Sequence, residues 1–164
     1  MTGPEGGYVV TERVERLRNR VFSVRTDTVV MPDGEVAARD YLVHTGAVGV
    51  VALDDADRVA LIRQYRHPVG RRLWELPAGL IDVVGEDLPA AAARELAEEV
   101  DLVAGRWDLL ADVTVSPGCS NEVIRLLTSR SAARATSVGS VGRNARTALT
   151  GTSRAYTEPA KGVL

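Results

Sequence analysis

The stretch GLIDVVGEDLPAAAARELAEEVDL, residues 79–102, decides the fold of this chain, because it joins a glycine-containing turn to an amphipathic helix. Its spacing predicts a helix over Pro89–Val100. On that helix Glu95, Glu98 and Glu99 stand at positions i, i+3 and i+4, so three carboxylates share one face within a single turn. Like charges at these spacings destabilise an isolated helix by about 0.2–0.5 kcal/mol per pair. We therefore expect a cation close to this face.

The acidic face has two interpretations. A solvated surface is the common one for three acids at this spacing. Here the opposite face carries Ala92, Leu96 and Val100, which predicts docking on a core, and a fourth acid, Glu86, lies in the preceding turn. Carboxylate oxygens are hard ligands that suit Mg²⁺ or Mn²⁺ with several waters retained. The stretch therefore favours a divalent-metal site.

The same stretch resembles the Nudix box, whose pattern is Gly, five residues, Glu, seven residues, Arg-Glu-aliphatic-any-Glu-Glu-any-Gly-aliphatic. Glu86, the seven residues after it, and the run Arg94–Glu99 match by position. Two positions depart from the pattern. Six residues rather than five separate Gly79 from Glu86, and Asp101 replaces the final glycine. Asp101 adds a negative charge at the unfavourable end of the helix dipole.

The resemblance implies a fold class and a reaction. The fold is expected to be α/β, a Nudix-like α/β/α sandwich around a mixed sheet, with a C-terminal part that is incomplete or aberrant. The reaction is attack of water on a pyrophosphate phosphorus of a nucleoside diphosphate linked to another group.

The resemblance also implies the roles of individual residues in this box. Glu95 and Glu99 would bind Mg²⁺ or Mn²⁺ directly, with the carbonyl oxygen of Ala78 as a third protein ligand. Three further residues are implied to serve catalysis. Glu98 would act as a second metal ligand or orient a metal-bound water, and Glu86 and Arg94 would hold the helix and its loop together.

A second set of residues resembles the ADP-ribose pyrophosphatase subgroup of this family, over roughly residues 20–122. Pro117 lies fifteen residues past Leu102, where the subgroup places its distinguishing proline, and the segments Gln64–His67 and Trp74–Gly79 add to the likeness. The substrate-binding residues that this resemblance implies are Arg66 at a phosphate, Leu80 beside the ligand, and Pro117, Gly118 and Glu122 at the terminal ribose.

Several of these residues also have a plain structural interpretation. Arg66 is equally well an ordinary surface residue of a strand when the family is left aside. Trp74 is expected in the core rather than as a stacking platform for adenine, and His44 and His67 are expected to be structural.

Most other segments before residue 125 are predicted to be strands, because β-branched and apolar residues dominate them. Residues 1–10 are rich in glycine and are predicted to be disordered. The predicted strands are two within Val21–Val43 around the turn Met31–Gly34, a hairpin of Gly46–Leu53 with Val59–Tyr65, a short strand at Leu73–Gly79, and a strand at Trp107–Val115.

The charge of the 164-residue chain is divided unevenly along its length. Residues 1–122 hold 13 arginines and 21 acids, a net charge of −8, whereas residues 123–164 hold seven basic residues and one acid, Glu158, a net charge of +6. We therefore predict two regions: the N-terminal strands plus the Nudix core in residues 1–125, and an atypical basic tail of low order in residues 126–164.

The expected strand at Val123–Arg125 is predicted to be lost within this basic segment. A change of reading frame in a GC-rich gene is our hypothesis for its origin. Translation of the other frames beyond codon 125 tests it: absence of an acidic loop and an amphipathic helix from every frame excludes the hypothesis.

Composition limits the compartment and the partners. A formal charge of −2 argues against a protein built to hold nucleic acid, and the longest apolar stretch, Gly46–Leu53, is far shorter than the roughly 20 residues of a membrane span. A single cysteine, Cys119, favours a reducing cytoplasm. The subgroup resemblance implies a small nucleoside diphosphate substrate and a homodimer. The rival interpretation of residues 123–164 is a basic arm that binds RNA or a partner protein.

Two functions remain open at this stage. The first is divalent-metal-dependent hydrolysis of ADP-ribose to AMP and ribose 5-phosphate, or of a related compound. The second is a catalytically impaired Nudix module that binds metal and nucleotide without efficient turnover. The second stays open because the water-activating glutamate of the subgroup is not recognisable after Glu122, where Glu158 is the only acid.

Overall fold

A computed structural model describes residues 5–130, 133–134 and 148–150, the last two ranges by their backbone alone. Short 3₁₀ turns lie at Glu5–Gly7 and His67–Val69. The helix and strands are β1 (Val9–Arg18), β2 (Phe22–Val30), β3 (Val36–His44), β4 (Ala47–Ala52), β5 (Val59–Arg66), β6 (Arg71–Glu75), β7 (Ala78–Leu80), α1 (Leu88–Val100), β8 (Leu102–Val103), β9 (Asp108–Thr114), β10 (Val123–Ser129), β11 (Ala133–Arg134) and β12 (Ala148–Thr150).

The first three strands form an antiparallel sheet in the order β1-β2-β3. The turn between β2 and β3 holds Gly34 at a φ of 89°, so both strands predicted within Val21–Val43 are confirmed. Strand β1 was not predicted, and the expectation of disorder is wrong for its first residues, Val9 and Val10. Nine of the ten β1 residues are exposed, so the sequence carries no burial pattern there, and pairing with β2 supplies the strand.

A buried carboxylate connects these three strands. Asp27 of β2 is 5% exposed and accepts two hydrogen bonds from Arg13 of β1, at 2.8 and 2.7 Å, and one from the Tyr41 hydroxyl of β3, at 3.2 Å. The bonds from Arg13 keep the pKa of Asp27 below its ordinary value, against the opposing effect of burial. Asp27 therefore stays ionised and ties the N-terminal sheet together.

A four-stranded mixed sheet runs in the order β7-β4-β10-β9, with β4 parallel to β10. The expectation that the strand at Val123 is lost after Arg125 is wrong, because β10 continues to Ser129 and buries Leu127 and Ser129. It pairs with β4 on one side and with β9 on the other, so both edges of this segment are hydrogen-bonded. The proposed division of the chain at residue 125 stays a prediction, since most of the later residues lie outside the described ranges.

The remaining strands form an antiparallel sheet β12-β5-β6 and a pair β11-β8. A turn forms at Asp54–Asp57, but β4 and β5 do not make the regular hairpin predicted for Gly46–Leu53 with Val59–Tyr65. One bridge, Leu53 to Val59, joins them before β5 enters another sheet. The single strand expected at Leu73–Gly79 is also two strands, β6 and β7, separated at Leu76 and Pro77, because proline lacks the N–H that a continuous ladder requires.

Helix α1 confirms the predicted helix and its orientation. The Asp87 side chain caps its N-terminus by accepting the Ala90 N–H at 2.8 Å. Its apolar face packs on β4, β5 and β10. The buried core comprises Val48, Val50, Ala52, Ala60, Ile62, Ala91, Ala92, Leu96, Val100, Leu102 and Leu127. Within the described residues, no helix is long and apolar enough to cross a membrane.

Candidate functional site

The first contact of the site is a close approach of α1 to β7. A Cβ atom on Gly79 would lie inside the van der Waals contact distance of the Glu95 carboxyl group. Only glycine therefore lets the Glu95 carboxylate rest against the backbone of β7. This contact explains why the first residue of the motif is glycine: any side chain there would overlap the Glu95 carboxyl group.

Ala78 turns its polar backbone groups toward α1. Strand β7 pairs with β4, and the Pro77 carbonyl accepts the N–H of Val50 at 2.8 Å. Because antiparallel pairing alternates, the N–H and C=O of the next residue, Ala78, point away from β4. The N–H of Ala78 donates to Glu99 Oε2 at 3.0 Å. The Ala78 carbonyl thus lies on the same edge of β7 as the Glu99 carboxylate.

Arg94 is the cation expected beside the acidic face. Its Nε and Nη2 donate to the two carboxylate oxygens of Glu86 at 3.1 and 3.0 Å. Its Nη1 donates to Glu95 at 2.5 Å and lies 3.9 Å from Glu98. The ion pair with Arg94 lowers the pKa of Glu86. Arg94 therefore joins the loop to the helix and fixes the position of Glu95.

Glu99 is in a different electrostatic environment. Burial raises the pKa of Glu99, the charge of Glu95 adds to that rise, and the hydrogen bond from Ala78 opposes it. Burial and a neighbouring carboxylate both disfavour the ionised form. A bound cation would reverse this balance, because it favours the charged carboxylate.

The donors on this edge fit a hard divalent cation. Among the described residues, no group of three His, Cys, Asp or Glu side chains is arranged to hold a metal ion. The candidate donors are instead two carboxylates, Glu95 and Glu99, and the Ala78 carbonyl, all of them oxygens of the kind that Mg²⁺ and Mn²⁺ prefer. Glu98 is more open, with 62% of its side chain exposed.

Arg66 lies at the end of β5 and is held by Glu75 of β6. Its Nε donates to the Glu75 carboxylate at 3.0 and 3.1 Å and its Nη2 at 2.6 Å. This pairing raises the pKa of Arg66, and the charges of Glu99 and Glu122 raise it further. The structure therefore brings the guanidinium group into the electrostatic range of both carboxylates.

Glu75 is a residue that the sequence analysis did not single out. The turn His67–Gly70 folds β6 back on β5, so that Glu75 faces the side of β5 that carries Arg66. The alternation of side-chain directions along β5 and β6 was the sequence signal that could have identified Glu75 as a neighbour of Arg66. It was missed because β6 was not recognised as the partner of β5.

Pro117 and Gly118 lie in an exposed turn after β9. This turn is fixed to the N-terminal sheet by backbone hydrogen bonds. The Leu42 N–H donates to the Cys119 carbonyl at 2.8 Å, and the Asn121 N–H donates to the Leu42 carbonyl at 3.1 Å. Strand β3 thereby positions the loop that carries both residues.

Glu122 follows this turn and lies beside His44 at the end of β3. Its Oε1 is 3.7 Å from His44 Nδ1, which accepts the Gly46 N–H at 3.1 Å. The structural role expected for His44 agrees with this contact. Leu80 is half-buried in β7, opposite Ala47.

Trp74 is not a core residue, and that expectation is wrong. Its side chain is 40% exposed, and the Arg63 guanidinium lies 5.8 Å from the ring centroid. Its position on β6 places the ring on the opposite face of the hairpin from Glu75.

Comparison with known proteins identifies related sequences. The family model of the NUDIX domain matches residues 43–135. An ADP-ribose pyrophosphatase of Mycobacterium tuberculosis (strain ATCC 25618 / H37Rv) is 50% identical over 106 residues, which cover 65% of this chain and 51% of that protein. A methanol dehydrogenase activator of Bacillus methanolicus is 33% identical over 118 residues, covering 72% and 62%. An ADP-ribose pyrophosphatase of Bacillus subtilis (strain 168) is 31% identical over 107 residues, covering 65% and 57%.

The chain therefore spans about half to three-fifths of the length of these relatives. A solved structure described as an ADP compounds hydrolase matches with a TM-score of 0.74 over 90% of this chain and 80% of that one. Its sequence identity is 21%, so this likeness concerns the fold, and it confirms the predicted α/β class. Because the NUDIX model matches more than half of the residues, including the whole acidic helix and its loop, the chain belongs to the NUDIX domain family.

Proposed function

We propose that this chain hydrolyses the pyrophosphate bond of ADP-ribose, giving AMP and ribose 5-phosphate, or that of a related nucleoside diphosphate derivative, with the help of a divalent metal. The observation that carries the proposal is the meeting of α1 with the edge of β7, where Glu95 and Glu99 lie beside Gly79 and Ala78. Two relatives named ADP-ribose pyrophosphatase support the choice of substrate.

Glu95, Glu99 and the Ala78 carbonyl are the residues that would hold Mg²⁺ or Mn²⁺. When bound, such an ion neutralises charge on pyrophosphate oxygens and lowers the pKa of a water. Arg94 keeps Glu95 oriented through its 2.5 Å contact and anchors the loop through Glu86. The contact with Arg94 limits the rotamers open to the Glu95 carboxylate before substrate binds.

The remaining site residues bind and orient the substrate. Arg66 donates to a phosphate, for which its planar guanidinium group is well shaped. Glu98, which is exposed, accepts a hydrogen bond from the attacking water. Leu80 borders the ligand, and Pro117, Gly118 and Glu122 hold the terminal ribose.

The test is hydrolysis of ADP-ribose by the purified chain with and without a divalent cation, next to a Glu99→Gln variant. We expect turnover that disappears with a chelator and falls at least about 100-fold in Glu99→Gln, because a neutral amide is a weak ligand. Glu35→Gln, in the exposed turn before β3, is the matched control and should keep full activity.

Absence of turnover by the unmodified chain, together with measurable binding of ADP-ribose in calorimetry, would contradict the hydrolase proposal. That result would support the catalytically impaired module instead. The two outcomes are separable because binding and turnover are measured on the same preparation.

We further propose a homodimer in a reducing cytoplasm. The dimer rests on the subgroup resemblance, and light scattering of the purified chain tests it. The compartment rests on the single cysteine, Cys119, which is free and exposed. Fluorescence localisation of the tagged full chain is the corresponding test.

A further inference from the structure

The ion pair of Arg66 and Glu75 is more than a single surface contact. Glu75 faces the same side of the β5–β6 hairpin as Gln64 and Arg66. Gln64 Nε2 donates to Glu75 Oε2 at 2.9 Å, in addition to the donors of Arg66. The Glu75 side chain is 20% exposed, so two neighbours and partial burial hold its carboxylate in one place.

The pairing uses one defined edge of the guanidinium group. Arg66 donates to Glu75 through Nε and Nη2. A guanidinium group has five N–H donors in a planar fork, so a second edge, formed by Nη1 and the outer hydrogen of Nη2, is left for another acceptor. That edge has the shape that binds two oxygens of a phosphate at once. The Arg66 side chain is 51% exposed, which leaves room for such a ligand.

The position of Arg66 relates this edge to the rest of the site. The guanidinium group is influenced by the charges of Glu99 on α1 and Glu122 after β9. These two carboxylates belong to the parts of the proposed site that hold the metal and the ribose. Because both carboxylates raise the pKa of Arg66, we expect a diphosphate that links the two parts to lie near its guanidinium group.

We propose that Glu75 is the positioning residue of the diphosphate subsite, because it holds one edge of Arg66 so that the other edge binds the substrate's diphosphate. The inference rests on the proposed hydrolase function and deepens it. Glu75 does not touch the substrate, and all of its effect on binding passes through Arg66.

The direction in which Glu75→Gln changes substrate affinity distinguishes a positioning role of Glu75 from a purely electrostatic one. Glu75 is negatively charged, and a diphosphate is repelled by it. If charge alone mattered, Glu75→Gln would tighten substrate binding. If Glu75 orients Arg66, the same substitution loosens binding, because the guanidinium group loses its fixed direction.

The experiment is a double-mutant cycle with steady-state kinetics on ADP-ribose, using the full chain and the variants Glu75→Gln, Arg66→Ala and both together. We expect the KM of Glu75→Gln to rise about tenfold, with kcat within about twofold of the parent value. In the Arg66→Ala background, Glu75→Gln should change KM no further. Asp54→Asn, which weakens the comparable surface pair of Asp54 with Arg58, should leave both constants unchanged.

A KM that is unchanged or lower in Glu75→Gln, or an equal effect with and without Arg66, overturns the inference. Thermal unfolding of each variant separates loss of folded protein from a change in KM. Turnover by the parent chain tests the proposed hydrolase, whereas the ratios among the variants test Glu75. If the parent binds ADP-ribose without turnover, calorimetric dissociation constants of the same four proteins complete the cycle.

Discussion

At the scale of single residues, Gly79 is important to the site because it has no side chain and so leaves space for the Glu95 carboxylate. The spacing of the acidic residues of α1 identifies them in the sequence. The need for glycine at position 79 follows only from the position of the Glu95 carboxylate against β7. Arg94 fixes that carboxylate from the other side. The geometry of the proposed metal ligand is thus set by one contact from a strand and one from its own helix.

Gly79→Ala is expected to lower kcat on ADP-ribose by about 10–100-fold, because the new methyl group displaces the Glu95 carboxylate. The free energy of unfolding should change by less than about 1 kcal/mol, since the end of a flexible side chain can move aside. Gly105→Ala is the control, because a Cβ there meets nothing within 4 Å. Both kcat and urea unfolding are measured on each variant. If Gly79→Ala keeps the parental kcat, the contact of Gly79 with Glu95 does not position the carboxylate for catalysis.

At the scale of elements, α1 has one favourable terminus and one unfavourable one. Asp87 caps the N-terminus, where a negative charge is favoured by the helix dipole. Asp101 ends the helix at a φ of 55° with its N–H bonded to Ala97, in the position that glycine usually occupies. The departure from the family motif at Asp101 therefore combines a left-handed backbone with an unfavourable charge.

Asp101→Gly is expected to raise the free energy of unfolding by about 0.5–1 kcal/mol. Relief of the left-handed conformation and removal of the charge both stabilise the helix, and the greater freedom of glycine in the unfolded chain offsets part of the gain. Urea unfolding measures the change. Asp101→Asn removes only the charge and should gain a few tenths of a kcal/mol; a loss of stability in Asp101→Gly would contradict the explanation.

The strands show where sequence patterns succeed and fail. Strand β4 is predictable because Ala47–Ala52 is a continuous apolar run buried from both sides. Strand β1 has almost no buried residues, so its formation depends on the β2 edge rather than on its own pattern. The change of charge after Glu122 predicts the loss of strand β10, but the apolar residues Leu126 and Leu127 lie within it and the strand continues to Ser129.

At the scale of the whole molecule, β9 is an edge strand of the four-stranded sheet within the part of the chain that the structure describes. All seven of its residues are exposed, among them Leu109 and Leu110 at 58% each and Val113 at 40%. An apolar edge strand with an open side is a site for pairing with other chains. We therefore expect the purified chain to associate at high concentration.

Leu110→Lys is expected to reduce this association without lowering the melting temperature, because it removes apolar area from a side chain that is already exposed. Light scattering against concentration and a thermal melt provide the two measurements. Thr114→Lys adds the same charge to the same strand and leaves the apolar residues in place, so it should reduce association less. An equal effect of both variants would assign the improvement to charge alone.

The sequence by itself determined the family through its motif. It also determined the acidic helix and its candidate carboxylate ligands, because a helix places residues three and four apart on one face whatever surrounds it. It also determined the buried strand β4, whose apolar run requires cover on both sides. Only the tertiary structure decided that β6 folds back on β5 to place Glu75 on Arg66, and that Gly79 lies under Glu95. Those contacts join segments whose separation in sequence carries no periodic signal, so packing between elements had to bring them together.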